Sequence, residues 1–347
     1  MTRKGLACAL LSALLTLGAP VQGEDASMVT LMEFSDLEGW SDDDHDAALS
    51  VFAQTCDRIK GFEWPQLCKV AQKKPDAKSF FELFFRPVLI EDGNAPLFTG
   101  YFEPELHGSR HRSDRYRFPI YAKPNDLEAG VPYYSRREIA EGALSGRGLE
   151  IAWVDDAVEL FFLQVQGSGR IRLDDGTMTR VGYAGKNGHT YRSIGRELVR
   201  RGTYNEHQVS ADVIKNWVRR NPVDGEELLN HNPSFVFFRE RKDLHPELGP
   251  IGAMNRSITT MRSIAVDPKF TPLGAPVWIE KEGESPLRRL MIAQDTGSAI
   301  KGAQRADIFY GTGDAAGSEA GRIKDGGRMI VLLPIQIAYG LLEKASG

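Results

Sequence analysis

Between Ala293 and Gly313, two carboxylates (Asp295 and Asp307), a lysine (Lys301) and an arginine (Arg305) are set among glycines, alanines and a serine. Apolar Ile308, Phe309 and Tyr310 follow Asp307 directly and put this acid at the mouth of a buried-looking strand. An ionised carboxylate taken out of water costs several kcal/mol unless it is paired or protonated, so Asp307 is a candidate acid. Burial against residues 308–310, or an anionic neighbour such as Asp295, would raise its pKa, and a rise of roughly two units corresponds to about 2.7 kcal/mol. Two carboxylates can also flank a glycosidic bond, one as acid and the other as base or nucleophile. The competing readings are a strand-end aspartate bonded to backbone for Asp307 and a loop cap for Asp295. Lys301 and Arg305 cannot serve as general acids at ordinary pKa values.

Further blocks lie elsewhere in the chain. They are Thr99-Gly100-Tyr101-Phe102-Glu103-Pro104, Gln164-Val165-Gln166-Gly167-Ser168-Gly169, Gly182-Tyr183-Ala184-Gly185-Lys186-Asn187-Gly188-His189 and Asn232-Pro233-Ser234-Phe235-Val236-Phe237-Phe238. With the run from Asp295 to Gly313, Ala320-Gly321 and the stretch from Gly326 to Pro334, they cover residues 97 to 334. In this order the blocks resemble the membrane-bound lytic transglycosylase A family of bacterial murein enzymes. That resemblance implies cleavage between N-acetylmuramic acid and N-acetylglucosamine with closure of a 1,6-anhydro ring. One carboxyl of raised pKa would act first as acid and then as base, and the matching position is Asp307.

On the same resemblance, Asp295 orients the loop or stabilises an oxocarbenium-like transition state. Tyr101 and Phe102 either stack on a pyranose face or pack at a domain junction. Gln164, Gln166, Gly167, Ser168 and Asn187 belong to blocks placed in a binding groove. Lys301 or Arg305 would pair with Asp295, bind the peptide carboxylates of murein, or remain solvated. The implied partner is the peptidoglycan glycan strand, with other cell-wall enzymes as candidate partners, and no metal or organic cofactor is required. The alternatives are a hydrolase in which Asp295 activates water, and a non-catalytic murein-binding envelope protein.

Other chemistries lack their motifs. Gly167-Ser168-Gly169 is flanked by Gln166 and Arg170, not by the outer glycines of a nucleophile elbow. Position 172 is Arg where a dinucleotide loop needs glycine. Gly185-Lys186-Asn187 does not complete a phosphate loop, and the seven histidines show no metal spacing. His189, the one histidine inside a block, reads as a hydrogen-bonding residue. The formal charge of −4 becomes −6 without residues 1–23, which carry Arg3 and Lys4 and no acid. A nucleic-acid binder would usually be basic.

Residues 2–23 read as a secretory signal: Arg3-Lys4, an apolar run from Leu6 to Leu17, and the small-residue site Val21-Gln22-Gly23. Cys8 lies too early in the run, after Gly5-Leu6-Ala7, to suit a lipid anchor. The expectation is a soluble periplasmic monomer without a transmembrane segment. In that compartment Cys56 and Cys68 would form a disulfide, a reduced buried pair being the alternative.

The elements that must hold these residues begin with helical spacing over Asp43–Cys56 and Phe80–Phe85, whose aromatic residues read as core. From Phe98 the texture becomes short β-prone runs between turns. These include Pro119–Ala122, Leu149–Trp153, Glu159–Gln166, Arg170–Leu173 and Thr179–Tyr183, with Asp174-Asp175-Gly176 as a hairpin turn. Tyr191–Gly202 and Ser210–Asn221 return to helix, and the last third is strands and tight turns. Regular short strands favour a barrel over a βαβ sheet. The resemblance sharpens this to a mainly β fold, a double-psi β-barrel with N-terminal helices (residues 24–105 plus 235–347), interrupted by a smaller β-rich insert at 106–234.

Overall fold

The structure is a computed structural model that describes residues 27–345, apart from 129, 243 and 246. The secretory signal expected at residues 2–23 lies outside the described residues.

Strand β1 (Met28–Leu31) precedes three helices, α1 (His45–Thr55), α2 (Trp64–Ala71) and α3 (Ala77–Phe84). Asp44 caps α1 by accepting from the Ala47 amide at 3.0 Å, and Asp76 caps α3 by accepting from the Ser79 amide at 2.9 Å. The aromatic residues are core, as expected: Phe52, Phe80, Phe81 and Phe85 are buried, with ring centroids from 5.2 to 6.3 Å apart. Cys56, just past α1, and Cys68 on α2 are joined in a disulfide. Phe85 starts β2 (Phe85–Glu91), and β3 (Leu97–Glu103) follows.

At Pro104 the chain crosses into a second sheet. It contains β4 (Glu105–Ser109), β5 (Phe118–Tyr121), β6 (Glu150–Val154), β7 (Ser168–Leu173), β8 (Met178–Lys186) and β9 (Val236–Glu240). Between these strands run α4 (Arg136–Ala140), α5 (Ala157–Gln166), α6 (Ile194–Arg200), α7 (Ala211–Arg220) and α8 (Pro222–His231). The strand order is β5-β6-β4-β7-β8-β9, and a bridge from Ala122 to Phe238 brings the end of β5 back to β9. The hairpin turn at 174–176 joins β7 to β8 as expected, with Gly176 at φ +84°.

One strand expectation fails: Glu159–Gln166 belongs to helix α5. Asp156 accepts from the amides of Val158 (2.8 Å) and Glu159 (3.3 Å), Gly167 closes the helix in the left-handed region, and Val158, Phe161 and Leu163 point inward.

The chain then returns to the first sheet through β10 (Ser263–Val266), β11 (Pro276–Lys281), β12 (Leu287–Asp295), β13 (Arg305–Thr312), α9 (Gly313–Ala320), β14 (Lys324–Asp325), β15 (Gly327–Pro334) and α10 (Ile335–Ala345). This sheet runs β1-β2-β15-β11-β12-β10-β13-β3-β14. The pairs β10–β12 and β3–β13 are parallel, and the others are antiparallel. Among the described residues no pairing joins β1 to β14.

The fold is therefore mainly β with N-terminal helices and a second sheet entered from within the first. One face of the first sheet buries Phe98, Ile264, Val266, Ala293, Ala306 and Ile308 together. On the other face, residues of β2, β11 and β15 pack under the helices, including Val88, Trp278 and Ile330. The alternate residues of β3, β10 and β13 remain for the site. No helix among the described residues is long and apolar enough to cross a membrane.

Candidate active site

Successive side chains of a strand point to opposite faces. Since Ala306 and Ile308 enter the core, Arg305, Asp307 and Phe309 share the other face of β13. This corrects the expectation that Ile308 and Tyr310 bury the acid, for only Phe309 of that triplet lies on its face. Directly opposite Asp307 in the parallel register is Thr99, and opposite Phe309 is Tyr101. The Thr99 hydroxyl donates to Asp307 Oδ1 at 2.6 Å and accepts from Arg305 Nη2 at 2.8 Å. The arginine is spent on that hydroxyl and on the carbonyls of Leu97 and Ala306. Burial raises the Asp307 pKa, while the Thr99 hydrogen bond and the Arg305 charge act in the opposite sense.

Asp295 ends β12 beyond an irregularity in its pairing with β10. Such bulges re-aim a side chain. Its Oδ1 accepts from the backbone amides of Thr296 (2.9 Å) and Ala253 (3.0 Å), and its Oδ2 accepts from the Tyr101 hydroxyl at 3.2 Å. Burial lifts its pKa to about 6 against the opposing pull of these donors, and the Asp307 charge adds a smaller upward push. Tyr101 packs against Phe309 at 5.3 Å between ring centroids, and burial beside both aspartates holds its phenol well above the ordinary range. Both carboxylates are partly exposed on one face of the sheet, close to where the chain enters the second sheet.

The remaining candidates divide. Gln166 Oε1 accepts from the Phe102 amide at 3.2 Å, so it reaches β3 beside Tyr101. Gly167 stands at φ +80° with open space where a side chain would be, and Ser168 is partly exposed next to it. Phe102 lies against α9, where a Cβ on Gly317 would come within 2.7 Å of its ring, which favours packing over stacking on a ligand.

Two amides expected in a binding groove are buried instead. Gln164 is on the inner side of α5, with its Oε1 accepting from Arg136 Nη2 at 2.5 Å and its Nε2 unpartnered among the described residues. Asn187 is 0% exposed: its Nδ2 donates to the carbonyls of Tyr134 (2.9 Å) and Pro233 (2.8 Å), and its Oδ1 accepts from the Phe235 amide at 2.9 Å. That amide ties three segments of the second sheet together and has nothing left to offer a ligand. His189 Nε2 is 2.7 Å from the Tyr133 carbonyl, a hydrogen-bonding role as expected. Lys301 is exposed and lies 3.9 Å from Asp267, so neither it nor Arg305 pairs with Asp295.

Sequence reasoning did not single out Thr99 or Glu103, although both lie in a quoted block. Glu103, 1% exposed, accepts from Arg170 Nε (2.9 Å), Arg180 Nη2 (2.8 Å) and the Thr312 hydroxyl (3.0 Å), which locks β3 and the end of β13 to the second sheet. Nor was Arg136 anticipated: it is sandwiched between Phe161 and Phe235, and burial lowers its pKa to about 9. Among the described residues no group of three or more His, Cys, Asp or Glu could hold a metal ion.

The two sheets, the second entered from within the first, and the two partly exposed aspartates whose pKa values burial raises define the class: a two-sheet β fold with an acid-based site. The chain belongs to the membrane-bound lytic murein transglycosylase A family. Residues 97–239 match the family model of the MltA specific insert domain, and residues 262–333 match that of the 3D domain. The membrane-bound lytic murein transglycosylase A of Vibrio cholerae is 37% identical over 252 residues, which are 69% of this chain but 65% of that protein. The chain thus spans just under two thirds of that relative. The crystal structure of a membrane-bound lytic murein transglycosylase from Agrobacterium tumefaciens superposes with a TM-score of 0.81 at 32% identity, covering 90% of this chain and 99% of that one. The crystal structure of E. coli MltA with bound chitohexaose superposes with a TM-score of 0.69 at 29% identity, covering 82% and 90%.

Proposed function

We propose that this protein is a lytic transglycosylase of peptidoglycan that uses Asp307 as a single acid/base. Protonated Asp307 gives its proton to the glycosidic oxygen between N-acetylmuramic acid and N-acetylglucosamine, and the bond from that oxygen to the muramic C1 breaks. The Asp307 carboxylate then takes the proton of the muramic C6 hydroxyl as that oxygen bonds to C1. A 1,6-anhydro ring closes, no water is consumed, and the acid is restored. The observation that carries the reading is Asp307 itself, whose pKa burial raises against the pull of one hydroxyl and of an arginine whose own hydrogen bonds go to Thr99 and backbone carbonyls.

Asp295 and Tyr101 complete the face on which the sugar would lie. The E. coli relative's bound chitohexaose supports a β-1,4 glycan ligand here. In this reading the first sheet with its N-terminal helices is the catalytic, double-psi barrel domain, and the second sheet is the substrate-binding insert, which with β9 runs to Glu240, past the boundary expected at residue 234. The Cys56–Cys68 disulfide and the signal-like residues 2–23 support a periplasmic site of action.

A hydrolytic reading has one observation in its favour: Asp295 shares the face of Asp307 and could activate water. Mass spectrometry of products released from purified sacculi separates the two. Transglycosylation gives muropeptides one water lighter than hydrolytic products, and Asp307→Asn gives none while still binding sacculi. Reducing-end products, or an active Asp307→Asn protein, would overturn the reading.

A further inference from the structure

The second sheet carries a cavity of about 720 Å³ between β5, β6 and helices α4, α5, α7 and α8. That is the size of a site for a small organic ligand. None of its walls comes from the first sheet, so it is separate from Asp295 and Asp307.

Arg112, Arg117 and Arg136 line it, and none of the three has a carboxylate partner among the described residues. Arg112 lies over the Trp153 ring at 5.7 Å and Arg117 over the Phe118 ring at 5.4 Å. Stacking of this kind leaves the N–H edges of a guanidinium free for an anion. Arg136, only 8% exposed, donates through Nε to the Asn232 carbonyl (3.1 Å) and through Nη2 to the Ser234 carbonyl (2.7 Å) and Gln164. No hydrogen bond among the described residues uses its Nη1.

The acids of the same wall are mostly engaged. Asp155 is 3.2 Å from Arg115, and Asp156 caps α5 and is 2.8 Å from Arg219. Glu226 is the acid left unpaired among the described residues lining the cavity. Three guanidiniums without a carboxylate partner against one unpaired carboxylate among the described lining residues, in a cavity with aromatic walls, favour an anionic ligand. Each arginine is stacked on a different ring, Arg112 on Trp153, Arg117 on Phe118 and Arg136 between Phe161 and Phe235, so each offers its own guanidinium edge. They suit carboxylates spaced along a chain.

We propose that this cavity is a second binding site, for a short peptide bearing several carboxylates. The source of that peptide, the acidic stem that murein carries, rests on the function proposed above. The test uses the free stem peptide L-alanyl-D-glutamyl-diaminopimelate and its amidated form, titrated calorimetrically into the full chain. Saturable binding is expected, weakened roughly tenfold or more by amidation of the peptide or by the double change Arg112→Gln with Arg117→Gln, and unchanged by Asp307→Asn. Arg112 and Arg117 are exposed, so their loss should leave the fold intact, which circular dichroism checks. No saturable binding, binding indifferent to the two arginines, or displacement of the peptide by equimolar inorganic phosphate would overturn the proposal. Glycan strands stripped of peptides test the other reading separately: the double variant should cleave them as the unaltered protein does, while its KM for peptide-bearing strands rises. Failure of the unaltered protein to cleave stripped strands would count against the transglycosylase reading, and the titration would still decide the cavity.

Discussion

Asp295 and Asp307 stand opposite the same residue, Ala265, one across the parallel pairing of β12 with β10 and the other across the antiparallel pairing of β10 with β13. Two strand spacings put their Cα atoms roughly 10 Å apart on one face of the sheet. That arrangement differs from a carboxyl dyad sharing one proton, in which mutual repulsion sets both pKa values. Here burial is the leading cause for each, and the Asp307 charge is the last contribution to Asp295. Each acid therefore answers to its own neighbours: Thr99 and Arg305 for Asp307, and Tyr101, Ala253 and Thr296 for Asp295.

Because burial lifts Asp295 from 3.8 to about 6, the folded chain holds this proton more tightly than the unfolded chain does. Well below pH 3.8 the residue is neutral in both states and costs nothing. Between pH 4 and 6 the unfolded state ionises first and stability falls, and above pH 6 the full penalty, up to about 3 kcal/mol, is present. Asp295→Asn keeps an acceptor for the two backbone amides and carries no charge. Urea unfolding should show it more stable than the unaltered protein at pH 7 and nearly equal to it at pH 3.5. An equal change at both pH values would show that ionisation of Asp295 is not the cause.

The Thr99 hydroxyl lowers the Asp307 pKa by bonding to its charged form. Thr99→Val removes that bond and keeps the shape, so the pKa should rise further, by about one unit for a hydrogen bond to a charged group. If protonated Asp307 is the acid, the alkaline limb of kcat/KM on glycan strands moves up in pH by the same amount. A limb that stays in place or moves down would remove Asp307 from that role.

Asp295 and Asp307 were legible because their chemistry lies in one contiguous run, whereas the neighbours that bury Asp307 were not, since Ile308, Phe309 and Tyr310 all follow it and only Phe309 shares its face. The role of Thr99 was not legible, since it depends on a parallel pairing that joins residues 208 apart. Gln164 and Asn187 looked like ligand-binding amides. Whether an amide meets a ligand or its own fold depends on partners brought in from elsewhere, here Arg136 for Gln164 and the Pro233 carbonyl for Asn187. Helix α5 was misread because Val158-Glu159-Leu160-Phe161-Phe162-Leu163 is apolar at both periods. Its end signals, Asp156 and Gly167, were the better guide.

The Cys56–Cys68 disulfide closes a short loop between α1 and α2, at a sequence separation of 12. In the chain-entropy account, a loop of this size is worth about 3 kcal/mol through the unfolded state. The double change Cys56→Ser with Cys68→Ser should therefore lower the urea midpoint by that equivalent. A variant of undiminished stability would mean that the helices hold this corner without the bond.

Glu103 is the point at which the site depends on the second sheet. Its carboxylate, 1% exposed, holds Arg170 of β7, Arg180 of β8 and Thr312 at the end of β13, the strand that carries Asp307. The two guanidiniums in turn bond the Leu248 carbonyl, and Arg180 also bonds that of His245. Removing one member of a buried charge cluster leaves the others unpaired and costs about 3–5 kcal/mol. Glu103→Gln should lose stability on that scale and split a single unfolding transition into two, as the sheets lose their shared anchor. It should also lower kcat through the displaced end of β13. Glu103→Met combined with Arg180→Met replaces the more buried pair by apolar groups and should recover part of the stability, because only Arg170, the less buried of the two arginines, then lacks its carboxylate. If the double variant is as unstable as the sum of its single changes, the contribution of Glu103 lies in packing and not in its charge.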